Sequence, residues 1–241
     1  MLFASGTHAG LKREINEDNY LALPELGLFA VADGLGGHEA GEVASSLALK
    51  TLKEEIKKIN LEKKDNDYLN LLKKIVNKAN QAIFLTAQKE KEKRGMGTTL
   101  TVVWIRESNL YIAHIGDSRA YLFYPEEYKL LTQDHSIVGE FILKGIISPA
   151  EAQNHPQRHI LTRALGLDEE TEIDLFVEPF KSGGYLLLCT DGVTSVLSEQ
   201  ELWEINIQNN NTPQVITKKI VDEVLKRGAP DNLTVIVVSL S

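Results

Sequence analysis

The sequence predicts an α+β fold in which helix pairs pack outside a central antiparallel β-sandwich, giving α-β-β-α layers. Three observations carry that expectation. Two long segments, 39–59 and about 68–92, repeat apolar residues every three or four positions, so each draws one buried stripe along a helix. Short runs rich in β-branched and aromatic residues, 98–105, 110–115 and 120–124, are separated by turn residues, as in an antiparallel meander. Strand-like and helical segments come in blocks, not in strict alternation, which disfavours a parallel doubly wound sheet.

Taken in order, the run Leu28-Phe29-Ala30-Val31-Ala32 reads as a buried strand. The first helix buries Val43, Leu47, Ala48, Leu52, Ile56 and Ile59. A polar loop over 60–67 then leads to a second helix through Leu72, Ile75, Val76, Ala79, Ile83 and Ala87. After the three central strands, 186–189 and 233–240 add two more. Ser148-Pro149-Ala150-Glu151 and Ser198-Glu199-Gln200-Glu201 each fit a capping box, Thr212-Pro213 places proline at a first helical position, and Arg227-Gly228 closes that last helix. With no internal repeat and no low-complexity linker, residues 1–241 are expected to form a single domain.

Composition narrows the function. The chain has 26 Lys and Arg against 34 Asp and Glu, a net charge of −8, with 43% hydrophobic residues. That balance suits a soluble globular protein and argues against general binding to nucleic acid or to anionic membranes, which rests on summed basic charge. The one cysteine, Cys189, lies in an apolar run and reads as a small buried residue. The opening MLFASGTHAG lacks a basic segment followed by a long apolar one, and no apolar run approaches the roughly 18 residues of a membrane span. A cytoplasmic protein is expected.

The chemistry resides in acids at the ends of apolar runs. Asp33, Asp117 and Asp191 each follow such a run, and Asp231 precedes the last strand. A single Asp-Gly is ordinarily a turn. Repeated at strand ends, however, several carboxylates converge and repel unless protons or metal ions separate them. Many carboxylates with no histidine pair at zinc spacing favour Mg²⁺ or Mn²⁺. Two such ions can generate hydroxide and stabilise in-line displacement at phosphorus, so phosphoester hydrolysis is the leading chemistry.

The segment Gly34-Leu35-Gly36-Gly37-His38-Glu39-Ala40-Gly41 fails as a dinucleotide fingerprint because Glu39 stands where glycine is needed. It fails as a phosphate loop because Glu42 stands where lysine is needed. It can still bring backbone close to an ion, with the Gly34 carbonyl as ligand. A lone histidine such as His38 near a helix start is ordinarily exposed or capping; beside a phosphoester it can also protonate the leaving alkoxide. Arg13 fits either an ordinary surface charge or a bidentate phosphate clamp. Asp18 and Glu17 are placed to support metal-bound waters.

Along the whole chain run Arg13 with Asn16-Glu17-Asp18-Asn19, Val31-Ala32-Asp33-Gly34-Leu35-Gly36-Gly37-His38, Met96-Gly97-Thr98-Thr99 and Ile115-Gly116-Asp117-Ser118-Arg119-Ala120-Tyr121. Asp134-His135-Ser136, Arg163-Ala164-Leu165-Gly166, Cys189-Thr190-Asp191-Gly192 and Asp231-Asn232-Leu233-Thr234-Val235 follow. In this order they resemble the motifs of the metal-dependent protein phosphatases (the PPM or protein phosphatase 2C family), in particular its compact bacterial members acting on phosphoserine and phosphothreonine.

The resemblance implies a helix-flanked β-sandwich with a metal cleft at one end and a flap at about 136–166. It implies Asp33, Asp191 and Asp231 on a first Mn²⁺ or Mg²⁺, Asp33 and the Gly34 carbonyl on a second, and Asp117 with Asp191 on a possible third. By the same resemblance Asp18 holds metal waters, Arg13 takes the substrate phosphate and His38 protonates the leaving oxygen. A metal-bridging hydroxide then attacks phosphorus without a phosphoenzyme. The implied partners are phosphorylated proteins, including substrates of a bacterial Ser/Thr kinase, with the enzyme working as a monomer.

Three positions depart from the family pattern: His159 in the flap stands where bacterial members commonly carry asparagine, Leu35 where methionine is frequent and Thr190 where serine is frequent. Two alternatives stand beside this reading. One is a non-catalytic module binding phosphoproteins, whose mark would be a lost ligand. The other is a different metal-dependent phosphoesterase, with a nucleic-acid substrate disfavoured by the negative net charge.

Overall fold

The computed structural model describes residues 1–36, 40–60, 67–152, 155–207 and 212–240. The first sheet has the order β1 (Phe3–His8), β11 (Leu233–Ser239), β10 (Tyr185–Cys189), β7 (Arg119–Phe123) and β8 (Tyr128–Leu130). The second has β2 (Asp18–Leu23), β3 (Leu28–Leu35), β5 (Leu100–Arg106), β6 (Asn109–Ile115) and β9 (Asp174–Pro179), with the two-residue β4 (Gly97–Thr98) on the end of β3. Neighbouring strands pair antiparallel throughout. Helices α1 (Ala40–Ile56) and α2 (Tyr68–Lys89) cover the second sheet, and α6 (Glu199–Ile207) and α7 (Pro213–Lys226) cover the first. The short helices α3 (Ile137–Leu143), α4 (Pro149–Ala152) and α5 (Asp191–Thr194) lie at the cleft end. No helix among the described residues is long and apolar enough to cross a membrane.

The period of two along each strand sorts the core into three layers. From β3, Leu28, Ala30 and Ala32 face α1 and α2, while Phe29 and Val31 face the other sheet. From β10, Leu187 and Cys189 face α7, while Leu186 and Leu188 fill the space between the sheets with Ile236 and Val238 of β11. This explains why the strands read as continuous apolar runs: both of their faces are buried. The expected α-β-β-α layering is present.

Side chains cap the helix termini, at Asp67 without a prior signal and at Ser148, Ser198 and Thr212 as the sequence predicts. Asp67 caps α2 by accepting the Asn70 N–H at 3.0 Å. Ser148 and Glu151 form the expected reciprocal box, with the Ser148 N–H donating to Glu151 Oε2 at 2.7 Å, and Ser198 and Glu201 repeat it at 2.9 Å. Thr212 caps α7, and Gly228 leaves that helix at φ +98°. The polar loop expected over 60–67 lies mostly outside the described residues.

Two expectations need correction. The run 98–105 is not one strand: β4 ends at Thr98 because the Thr98 hydroxyl and the Thr99 N–H both donate to the Asp33 carbonyl, turning the chain onto the end of β3. Nor do 98–124 form a meander within one sheet. Gly116, at φ +107°, swings the chain across the sandwich, so β7 joins the opposite sheet and β9 takes the place beside β6. A short turn of this kind links two sheets as readily as two neighbouring strands, and periodicity alone does not separate the cases.

Leu188 is fully buried between the sheets. Leu188→Ala should destabilise the fold by about 2–5 kcal/mol through lost transfer energy and the cavity left behind. Chemical denaturation checks this, and a loss below roughly 1 kcal/mol would contradict the layer assignment.

Candidate active site

All five singled-out aspartates lie at one end of the sandwich. Asp18 opens β2 and stands opposite Asp33 of β3 in register. Asp117 follows β6, whose end lies beside the start of β5, at the same edge as Asp33. From the other sheet, Asp191 follows β10, and Asp231 precedes β11 beside it. Strand direction therefore does what the sequence reading required: it carries acids far apart along the chain to one cleft.

Close backbone approaches set the spacing. A Cβ on Gly34 would overlap the Gly41 carbonyl and stand 2.8 Å from the Glu17 carbonyl oxygen. A Cβ on Gly192 would likewise overlap the Asn232 carbonyl. Glycine at 192 thus lets the Asp191 turn rest directly on the Asp231-Asn232 backbone. The Thr190 hydroxyl donates to Asp18 Oδ2 at 2.7 Å and accepts the Thr234 N–H at 2.9 Å. The departure from serine at this position keeps the hydroxyl.

The electrostatics are those of crowded like charges. Burial raises Asp18 from 3.8 to about 7, reinforced by Asp191 and Asp231 and opposed by the Thr190 hydroxyl. Burial, then Asp18, Asp191 and Asp117, pushes Asp33 well above the usual carboxylate range. Asp117 is raised by burial and by Asp191 and Asp134. Asp191 is raised by burial and by Asp231. Asp33, Asp117 and Asp191 are part-exposed at the cleft mouth, so solvent moderates these shifts without changing their direction.

Raised carboxyls hold protons, which is one of the two ways of relieving the repulsion. Among the described residues, no three Asp, Glu, His or Cys side chains are already gathered around one ion position. The donor set nevertheless fits a hard divalent cation. It is all oxygen, it is strained by its own charge, and Asp18 Oδ1 and Glu17 Oε1 are buried with no hydrogen-bond partner among the described residues.

Arg13 comes to the site. One of its N–H groups donates to Asp231 Oδ2 at 2.9 Å, and the guanidinium has four more donors for an anion. His38 lies outside the described residues. Cys189 is fully buried against α7 and its thiol is pushed up to about 12 by burial, which removes it as a nucleophile.

The sequence reading missed the supports. Asn232 accepts the Glu17 N–H at 2.9 Å and donates to the carbonyls of Ala9 and Ile15 at 2.8 and 2.9 Å, pinning the loop that carries Arg13 and Asp18. The Ser45 hydroxyl donates to the Glu17 carbonyl at 2.6 Å. Asn80, buried in α2, accepts the Gly166 N–H at 2.7 Å and donates to the Asp168 and Glu169 carbonyls at 3.0 Å, fixing the end of the flap. A polar residue on a buried helical stripe was the available signal for Asn80; Asn232 had only its position beside Asp231.

The family model described as Protein phosphatase 2C matches residues 4–140, and that described as Stage II sporulation protein E matches residues 146–241. The serine/threonine phosphatase stp of Listeria monocytogenes is 37% identical over 235 residues, which span 96% of this chain and 93% of that protein. Among solved structures, the serine/threonine phosphatase PstP/Ppp of Mycobacterium tuberculosis is similar with a TM-score of 0.90 at 35% identity, over 99% of this chain and 98% of that one. Staphylococcus aureus Stp1 gives 0.92 at 32% identity, over 100% and 96%. The PstP catalytic domain in complex with two manganese ions gives 0.86 at 34%, over 98% and 96%.

Carboxyls raised on folding stabilise the fold while protonated, and that contribution is lost as pH rises through the folded-state value. Without divalent cations, thermal stability should therefore fall as pH rises from 3.8 towards about 7, the window of the Asp18 shift. Asp18→Asn should flatten that slope. Melting curves in chelator check this, and equal slopes in the two chains would contradict it.

Proposed function

The chain belongs to the protein phosphatase 2C family, and we propose that its carboxylate cleft hydrolyses phosphoserine and phosphothreonine in proteins with Mn²⁺ or Mg²⁺ as cofactor. The observation that carries this reading is the convergence of Asp33, Asp191 and Asp231, carried by strands of both sheets to one end of the sandwich. Asp33, Asp191 and Asp231 would hold one ion, Asp33 and the Gly34 carbonyl a second, and Asp117 with Asp191 a third. Bound there, divalent ions lower the pKa of water and offset the charge of the phosphoryl oxygens.

The remaining steps fall to the chain's own groups. Arg13 sits on a loop pinned by Asn232, at the rim of the acid cluster; sharing its donors between Asp231 and a phosphate orients the monoester. Asp18, buried and bonded to Thr190, orders water at the back of the site. His38 protonates the departing serine or threonine oxygen, whose own pKa makes it a poor leaving group. The inert thiol of Cys189 supports direct hydrolysis without a phosphoenzyme. We place the enzyme in the cytoplasm as a monomer, opposing a Ser/Thr kinase.

Asp191→Ala or excess chelator should lower turnover of a phosphothreonine peptide by at least ~10³-fold, on the order of 4 kcal/mol of transition-state stabilisation. Turnover that persists in chelator would sink the metal-dependent reading. His38→Ala should slow an alkyl phosphoester far more than an aryl one, whose leaving group needs no proton. Equal losses on both substrates would remove His38 from that role.

A further inference from the structure

His135 stands just before α3, at the base of the flap, and is 2% exposed. It grips one residue by both of its backbone polar groups. Its N–H donates to the Gly116 carbonyl at 2.8 Å, and its ring Nδ1 accepts the Gly116 N–H at 3.1 Å. Because Nδ1 accepts, the ring proton is on Nε2, which donates to Asp174 Oδ2 at 3.2 Å. Asp174 Oδ1 in turn accepts from Arg163 of the flap at 2.8 Å. The His135 carbonyl accepts the Thr162 N–H at 2.8 Å, and the His114 ring packs 4.7 Å away.

Gly116 is the residue before Asp117, and it has little freedom. At φ +107°, a Cβ placed on it would lie 2.5 Å from the Thr99 side chain. Thr99 in turn holds Asp33, donating its N–H to the Asp33 carbonyl and accepting the Asp33 N–H on its hydroxyl, each at 2.9 Å. A shift of Gly116 therefore moves Asp117 directly and presses on the residue that fixes Asp33.

We propose that His135 is a positioning residue: it clamps Gly116 by both its N–H and its carbonyl, the two peptide groups on either side of its Cα, and so sets the Asp117 turn, and the Asp174–Arg163 pair at the flap base orients its ring. The consequence for cation binding rests on the reading of Asp117 as a metal ligand; the clamp itself does not.

The two ring contacts are separable. In His135→Asn the side-chain carbonyl can accept the Gly116 N–H near the place of Nδ1, with no reach to Asp174. In His135→Gln the longer amide reaches Asp174 with nothing at the Nδ1 position. Gly116 amide exchange should stay slow in the asparagine variant and become at least ~10-fold faster in the glutamine variant. Mn²⁺ affinity, followed by the signal of free Mn²⁺, should fall about 10-fold or more for the weakest site in the glutamine variant and stay within about 3-fold in the asparagine variant.

Slow Gly116 exchange in His135→Gln overturns the clamp. Unchanged Mn²⁺ affinity there, beside weakened affinity in Asp117→Asn, overturns its consequence for the site. Unchanged affinity in Asp117→Asn overturns the metal role of Asp117 instead. If neither His135 variant folds, Asp174→Leu, which leaves Nε2 without an acceptor, should speed Gly116 exchange while Asp174→Asn does not. Equal exchange in these two overturns the role of the pair.

Discussion

Repulsion among five carboxylates at one end of a β-sandwich is the constraint around which the rest of this molecule is organised. Asp18 and Asp33 face each other in register across β2 and β3, an arrangement that destabilises a sheet on its own. The fold tolerates it because the acids are at strand ends, and because they are divided between two sheets held together by a continuous apolar layer. Phe29 and Val31 from one side and Leu186, Leu188, Ile236 and Val238 from the other are all buried in that layer. The hydrophobic effect is non-directional and acts over the whole interface, so it can oppose a local electrostatic cost concentrated at one edge.

The site is built as much from backbone as from side chains. Gly34 lies against the Gly41 and Glu17 carbonyls, Gly192 against the Asn232 carbonyl and Gly116 against Thr99. At each of these points a side chain would hold two chain segments apart. Around them, Asn232, Thr190, Thr99 and His135 hydrogen-bond the backbone or the carboxylates of the residues beside them. The charged groups are thus fixed by neutral ones, which add orientation without adding to the repulsion. Arg13 is the exception: its charge offsets Asp231 and also faces the cleft rim.

The flap shares these supports. Its two ends are tied to different carriers of the acid cluster, through His135 to the Gly116 turn and through the paired backbone of Leu165 and Thr98 to the end of β3. Asn80 of α2 adds a third tie at Gly166. The flap base is therefore continuous with the scaffold of the site.

How much of this was legible in the sequence differs by level. The helices, their capping boxes and the buried strands follow from local periodicity and turn chemistry, which act over a few residues. The acids at strand ends were visible for the same reason, and their order along the chain carried the family. Sheet partnership was not visible. β7 leaves β6 through a turn as short as a hairpin, yet pairs with β10, because the φ of Gly116 and the packing of both faces decide its direction. The supporting contacts were equally hidden, since Asn232 and Thr190 owe their importance to segments as much as 223 and 172 residues away. Sequence alone determined which groups carry charge and which faces are apolar, because these are properties of single residues and their period. Only the tertiary structure decided which charges meet, since that depends on long-range pairing and on close backbone contacts that no local pattern encodes.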